Sequence, residues 1–471
     1  MFLFPTVYIF SFVYAIHLLL KKEIKGFLIF IIFGLPIYIN ALSVAFMYGF
    51  GRVIPFMQAF KEISLFLAFG MVLLNLKKKP KLHLVDKLMI VFFIYTLLYL
   101  LLPIGLYNFY NRLIGFKALS LFPLIYFTGR FCKTESINLN HIFSYILIVS
   151  IIAAIVLLLF EVIPYQHLHT RTGFMDFNIH YYDGEVSGNY GLIWTFETES
   201  GLKRFGSIFS SPLELSSAAI LALSVLLAIA TNRKNKIDFT NFYILSFFAT
   251  FVCIIFAVSR AAFVNYFILF YGYAHLIRNK KLITYFHYFF ITVAVYLMYA
   301  AFFLKGNMLD FIIATLNFQN TSSIGHVVEW LNGINAMIAH PFGMGLGSSG
   351  RVSMSAKDNI GGENQLVIIG VQVGIIMMIV YIWIYAAFIK AGLKALRTAT
   401  GKKKKLILCV VLLKIGIIIP LMTSYIDTFN YITYTTFFLS GLMINMIVSN
   451  PDKQSIHPLN TEPALSDMPA I

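Results

Sequence analysis

Long apolar runs dominate this chain and are separated by short polar stretches. Runs such as residues 151–160 and 406–413 are continuous and do not alternate between apolar and polar positions. A helix needs about 20 mostly apolar residues to cross the hydrocarbon core of a bilayer, and about thirteen such segments can be marked here. Because a membrane β-barrel would require alternation, we predict an all-α, polytopic transmembrane helix bundle.

The predicted spans alternate with short connections, apart from two long loops. The spans lie near residues 2–20, 27–48, 53–76, 88–106, 113–129, 141–163, 211–231, 239–257, 261–277, 282–304, 363–389, 406–424 and 430–449. They divide the chain into N-terminal transmembrane helices (1–163), a first periplasmic loop (164–210), central transmembrane helices (211–304), a large periplasmic loop (305–362), C-terminal transmembrane helices (363–449) and a disordered cytoplasmic tail (450–471).

Charge fixes the predicted orientation and excludes a nucleic-acid partner. Only 12% of residues are charged, against roughly 25% in soluble domains. The net charge of +16 comes from short clusters of Lys and Arg between apolar runs, for example at residues 77–81 and 394–405. With the N-terminus outside, every cluster falls on one side, as the positive-inside rule requires. We therefore assign the surplus charge to cytoplasmic anchoring and expect membrane lipids as neighbours.

Both long loops fall on the predicted outer side, where long connections are usually functional or disordered. The second contains an amphipathic stretch at residues 327–339, with apolar side chains at helical spacing, namely Trp330, Leu331, Ile334, Met337 and Ile338. His340 and Pro341 then end it, because the residue before a proline disfavours helical geometry. The glycines at 343, 345 and 347 permit a sharp turn.

Two arginines on the predicted outer face are candidates for binding phosphate. Arg204 lies just before the seventh span, and Arg260 lies in the brief turn between spans eight and nine. An outer-face Arg opposes the positive-inside bias, and a guanidinium can donate two parallel hydrogen bonds to phosphate oxygens. A lipid-linked diphosphate would suit such a pair. The alternative is that each Arg reaches towards ordinary phospholipid headgroups.

Glu363 is the candidate general base, and it opens span eleven directly after two glycines. That role requires a pKa raised above the ordinary value of about 4.3. The alternative is a simple charge favoured by the helix dipole. Further candidates for substrate binding are His326, His340, Arg351 and Asn364, each of which is equally compatible with a structural or solvated position. No metal-ligand spacing or cofactor motif is found. Glu214 and Lys414 fall inside spans without an evident role.

The residues from Arg204 to Gly374, about a third of the chain, resemble the superfamily of O-antigen polymerases (Wzy) and O-antigen ligases. The resemblance rests on residues 204–212 (RFGSIFSSP), 258–262 (VSRAA), Trp330, 340–347 (HPFGMGLG) and 363–366 (ENQL), followed by Gly374. No single piece is specific, but their order and shared outer-face placement make the set fairly specific. The remaining spans match only in hydropathy.

The resemblance implies a metal-independent glycosyltransferase of the GT-C class in the bacterial inner membrane, with its active site facing the periplasm. Such enzymes take a glycan from undecaprenyl diphosphate, and outer-face arginines bind the diphosphate, which matches Arg204 and Arg260. By analogy the second loop covers the site. The expected partners are lipid-linked oligosaccharide donor and acceptor, together with a chain-length regulator protein.

The chain departs from the family pattern at two positions, of which the first favours a polymerase and the second argues against a phosphate contact by His326. Ligases typically carry His where this chain has Glu363, and many members carry Arg where this chain has His326. We expect Glu363 to take the proton of an acceptor hydroxyl, while Arg204 and Arg260 stabilise the departing diphosphate. The alternatives are a ligase that transfers glycan to lipid A-core or protein, and a transporter of lipid-linked glycan.

Overall fold

The structure is a computed structural model that describes residues 1–76, 79–232, 235–238, 240–303, 321–350, 352–353 and 360–449. Within these ranges every regular element is a helix, apart from isolated bridges that pair Glu197 with Lys203 and Thr231 with Ile237. The all-α prediction is therefore confirmed for the described part of the chain. Arg351 and the tail at 450–471 lie outside the described residues.

Eight of the described helices precede the seventh predicted span. They are α1 (Leu3–Leu20), α2 (Lys25–Met47), α3 (Gly51–Leu74), α4 (Leu84–Leu101), α5 (Phe109–Phe131), α6 (Leu139–Val162), α7 (Leu168–Arg171) and α8 (Phe174–Tyr182). The short helices α7 and α8 belong to the first long loop, which is therefore a folded segment.

Nine described helices make up the rest of the chain. They are α9 (Pro212–Ala230), α10 (Asn241–Phe256), α11 (Arg260–Leu276), α12 (Lys280–Phe303), α13 (Thr321–Ala339), α14 (Gln365–Val373), α15 (Ile375–Leu396), α16 (Gly401–Thr423) and α17 (Asn430–Val448). Helix α13 contains the amphipathic stretch of the second loop, so that stretch is helical as predicted. A 3₁₀ turn at Ile426–Thr428 joins α16 to α17.

Ten of the described helices are long and apolar enough to cross a bilayer, namely α1, α2, α3, α4, α6, α9, α12, α15, α16 and α17. The predicted spans near 113–129, 239–257 and 261–277 also form helices, α5, α10 and α11. Helix α5 carries three basic residues, and α10 and α11 have only 16 and 17 residues. Membrane character is thus supported, and a total of thirteen spans stays a prediction.

Helix α9 lies at the centre of the bundle. All of its residues except Leu213 are buried, and it packs against α6, α10 and α16. Alternating small side chains along α9 allow this close packing, which is how membrane helices associate when lipid is as apolar as the helices. The first residues of α9 therefore hold a fixed position beneath the loop that carries Arg204.

The eleventh predicted span is interrupted at Gly374. Helix α14 ends at Val373 and α15 begins at Ile375, because Gly374 has φ 90° and ψ 163°. Residues 341–345 lie against this break. Met344 N–H donates to Val371 O at 2.7 Å, Gly345 N–H donates to Gln372 O at 3.0 Å, and Ile375 N–H donates to Pro341 O at 3.0 Å. The irregular backbone is thus satisfied by protein, as interruption at membrane depth requires.

Candidate functional site

Arg204 is held by a short hairpin at the end of the first loop. Its backbone N–H donates to Phe196 O at 2.9 Å, and the neighbouring Phe205 N–H donates to Phe256 O at 3.1 Å. The Arg204 Nε donates to Ala257 O at 3.2 Å. These bonds fix the half-buried guanidinium against the carboxyl end of α10, close to the turn that leads into α11.

Buried polar side chains tie down the residues that follow Arg204. Glu161 accepts from Ser207 N–H at 2.7 Å, and Asn40 Nδ2 donates to Ile208 O at 2.9 Å. His169 Nε2 donates to Phe209 O at 2.8 Å. Ser207 has φ 52°, which is unusual for a residue other than glycine and persists only where the surroundings impose it. The backbone near Arg204 is consequently well determined.

Arg260 is the first residue of α11 and is exposed. The preceding Val258 has φ 48°, a strained conformation for a β-branched residue. Arg260 is near enough for its positive charge to help lower the pKa of Arg204. Two like charges held together in this way suit a ligand with several negative charges, such as a diphosphate.

Glu363 lies in a backbone turn that glycine makes possible. Gly361 and Gly362 have φ values of 92° and 61°, which side-chain-bearing residues rarely adopt. The next residue, Asn364, is buried and caps α14, because its Oδ1 accepts from Leu366 N–H at 2.9 Å and from Val367 N–H at 3.3 Å. The Glu363 side chain is half-buried just outside the capped helix.

The surroundings of Glu363 raise the pKa of its carboxyl to a value near neutral pH. Burial, reinforced by the negative charge of Glu329, raises the pKa of Glu363 to about 7, although the positive charge of Arg204 acts in the opposite direction. Burial lowers the pKa of Arg204 to about 10, so the guanidinium stays charged at neutral pH. The structure thus places Arg204 near both Arg260 and Glu363, and a joint role for the three residues stays a prediction.

Helix α13 places Glu329 beside the turn that carries Glu363. A Cβ on Gly333 would collide with Val367, and a Cβ on Gly362 would collide with Glu329 Oε2. Met337 is buried one turn further along. Residues 329, 333 and 337 therefore form one contact stripe. Glu329 is not among the site residues predicted from the sequence, where a single Glu on an amphipathic helix gives no specific signal.

Beside Glu363 lies a cavity of about 250 Å³. Its walls combine aromatic rings, hydroxyl groups, amides and the carboxylates of Glu214 and Glu363. Residues from α2, α8, the start of α9 and the connection between α16 and α17 contribute to it. Aromatic rings with a few polar groups are typical of small-molecule sites. The sequence offered no signal for this cavity, because its walls come from distant parts of the chain.

The remaining predicted site residues have different surroundings. His326 is half-buried on α13, with its ring 6.4 Å from that of Trp330, and His340 is exposed after the end of α13. The Oδ1 of Asn364 is occupied by capping, which leaves its amide nitrogen for any contact with substrate. Within the described ranges, no three or more His, Cys, Asp or Glu side chains gather in a way that could hold a metal ion.

No model of a known protein family matches the chain, and no curated protein matches it in sequence.

Proposed function

We propose that this protein is a polysaccharide polymerase of the O-antigen or capsule type. It transfers a growing glycan from undecaprenyl diphosphate to the next lipid-linked repeat unit at the outer face of the bacterial inner membrane. The observation that supports this proposal is that Arg204 lies near both Arg260 and Glu363, and that Glu363 lines a cavity whose aromatic and polar walls suit a sugar. Anchoring in the membrane would not require a carboxylate from a distant segment beside Arg204.

In the proposed reaction, an acceptor hydroxyl attacks the anomeric carbon of the donor glycan. Its proton passes to Glu363, whose raised pKa suits a general base near neutral pH. The new glycosidic bond forms as the bond from the anomeric carbon to the phosphate oxygen breaks. The lipid diphosphate leaves with that electron pair, and Arg204 and Arg260 stabilise the charge that develops on it.

The glycan profile of a deletion strain tests this activity. We expect single lipid-linked repeat units to accumulate, because a polymerase joins repeats. Long chains that are not attached to lipid A-core or protein would instead identify a ligase. A complemented strain in which Glu363→Gln is expressed normally should reproduce the deletion profile. A labelled-carrier binding assay on that variant should still detect donor, since the arginines are intact. A normal polymer pattern from Glu363→Gln contradicts the proposed role of this residue.

A second candidate function is transport of the lipid-linked glycan, and two observations favour it. Helices broken near the membrane midplane are common in transporters. In this chain α14 and α15 are separated at Gly374, and Lys414 is fully buried inside α16. The Lys414 Nζ lies 4.1 Å from the ring centre of Phe437 and 4.2 Å from that of Tyr385, with no hydrogen bond among the described residues.

Reconstitution in liposomes separates the two functions. A transporter moves a fluorescent carrier-linked glycan between leaflets without changing its length, and Lys414→Met should slow that movement. A polymerase lengthens the glycan when donor and acceptor are both supplied on the outer side. Glycan lengthening without movement between leaflets would reject the transport function.

A further inference from the structure

The ionisable side chains of Asp, Glu, Lys, Arg or His type in the described walls of the cavity beside Glu363 are all acidic. Two carboxylates, Glu214 and Glu363, contribute to its walls, and none of the described residues that line it is Lys, Arg or His. An anionic sugar placed in this cavity would meet like charges without a compensating cation. Such juxtaposition is an effective way for a site to reject a wrong ligand.

Glu214 presents acceptor oxygens at the base of the cavity. The side chain is 4% exposed, and its Oε2 accepts hydrogen bonds from Ser210 N–H and from the Ser210 hydroxyl. The Glu214 N–H in turn bonds to Ser211 Oγ at 3.2 Å. Because Ser210 and Ser211 also line the cavity, these bonds fix the carboxylate where a ligand would be bound.

Arg204 and Lys203 lie outside the described walls of the cavity. Arg204 Nε bonds to Ala257 O, and Arg204 does not line the cavity. Lys203 Nζ donates to Tyr165 O at 2.7 Å and lies over the rings of Tyr165 and Tyr190. The described walls of the cavity therefore hold only acidic and neutral groups.

The remaining walls suit the uncharged parts of a sugar. Tyr38, Tyr182, Tyr425 and Phe429 supply aromatic rings, on which the C–H faces of a pyranose can pack. Hydroxyl and amide groups at Thr195, Thr428 and Asn178 supply hydrogen bonds for sugar hydroxyls. We infer that the cavity binds a neutral or amino-bearing sugar residue and discriminates against uronic and other acidic sugars. This inference rests on the proposed glycan-transfer function.

Matched pairs of simple glycosides test the inference directly. The probes are the methyl glycosides of glucose, galactose and mannose, each with its corresponding methyl uronide, in which the C6 hydroxymethyl group is a carboxylate. Binding to the full detergent-solubilised chain is measured by saturation-transfer NMR at pH 8, where the Glu363 carboxyl is largely ionised. At least one neutral glycoside should bind at least ten-fold more tightly than its uronide.

Two variants separate charge from misfolding. Glu214→Gln should reduce the ratio of the affinity for the neutral glycoside to the affinity for its uronide. Thr195→Lys, which adds a cation to the wall, should increase uronide binding, a gain that damage to the fold cannot imitate. Equal or tighter binding of the uronides by the unmodified protein overturns the charge inference but leaves a sugar site in place. Absence of binding by all six glycosides overturns both the inference and the assignment of the cavity to sugar.

Discussion

Two segments build the candidate site, and they are held in different ways. The arginine arm, residues 197–211, is tied by buried polar side chains from other helices, including Glu161, His169 and Asn40. The glutamate segment, residues 360–374, makes some side-chain hydrogen bonds through Gln365 and Gln372, and it also contacts its neighbours closely at glycines that leave no room for a Cβ. The difference teaches that the position of a charged group can be encoded either by hydrogen-bonding side chains or by the absence of side chains.

The two forms of support predict different sensitivities to mutation. Removing a polar anchor leaves buried backbone groups unsatisfied, which lowers the stability of the whole fold. Adding a methyl group to a glycine contact displaces a neighbouring chain segment, which alters local geometry first. Mutations of the polar anchors of the arginine arm should therefore mainly lower the free energy of unfolding. Mutations in the glutamate segment should mainly change the properties of Glu363.

The largest expected effect comes from the functional group on the arginine arm. Arg204→Ala should lower the rate of glycan transfer by about 10²–10³-fold, because a fixed donor to developing charge is removed. Lys203→Ala is the matched control, since Lys203 is an adjacent cation that packs over tyrosine rings. Rates measured with purified donor and acceptor should fall only slightly for that control. Equal losses for both variants would show that general positive charge, not the placement of Arg204, matters.

An intermediate effect is expected from the anchor of the arginine arm. Glu161→Gln removes the charge from an acceptor that serves both Ser207 N–H and Leu168 N–H. We expect a loss of about 2 kcal/mol in the free energy of unfolding, because hydrogen bonds to charged groups are worth about 1.5–3 kcal/mol. Chemical unfolding in detergent measures this loss, with the exposed Glu199→Gln as the control. Unchanged stability would mean that the arm is held by other contacts.

The smallest effect concerns the glutamate segment and appears as a pH shift. The negative charge of Glu329 helps to raise the pKa of Glu363, so Glu329→Gln should lower it. A general base works only when ionised, so under the proposed function the transfer rate of the unmodified protein should fall as pH decreases through about 7. In Glu329→Gln this fall should begin at lower pH, with the plateau rate unchanged. Asp176→Asn, at an exposed position on α8, should leave the profile unchanged.

The helical architecture could be predicted from the sequence, because continuous apolar runs identify helices. The sequence also led us to expect Arg204, Arg260 and Glu363 in one site, and the structure places Arg204 near each of the other two. The helix break at Gly374 gave no comparable signal. The residues around it are apolar on both sides, and the backbone bonds that satisfy the break come from residues 341–345, which precede it by about thirty positions.

The buried face of α13 could be predicted only in part from hydrophobicity. In the predicted apolar stripe Met337 is buried, but Leu331, Ile334 and Ile338 are 53%, 41% and 67% exposed. Glu329 and Gly333, which are not apolar, complete the face that contains Met337. In a membrane protein, apolar side chains can face lipid, so an apolar stripe identifies a helix without identifying its protein contact.

The junction at Gly374 depends on peptide groups and not on side-chain identity. Met344 and Gly345 donate their N–H groups to the end of α14, and Pro341 accepts from the start of α15. Conventional alanine scanning of residues 341–347 keeps these peptide groups, so at every position except the glycines it will underestimate the contribution of the junction to stability. Deletion of a single residue, which shifts the register of all three bonds together, is the change to which this part of the molecule is most vulnerable.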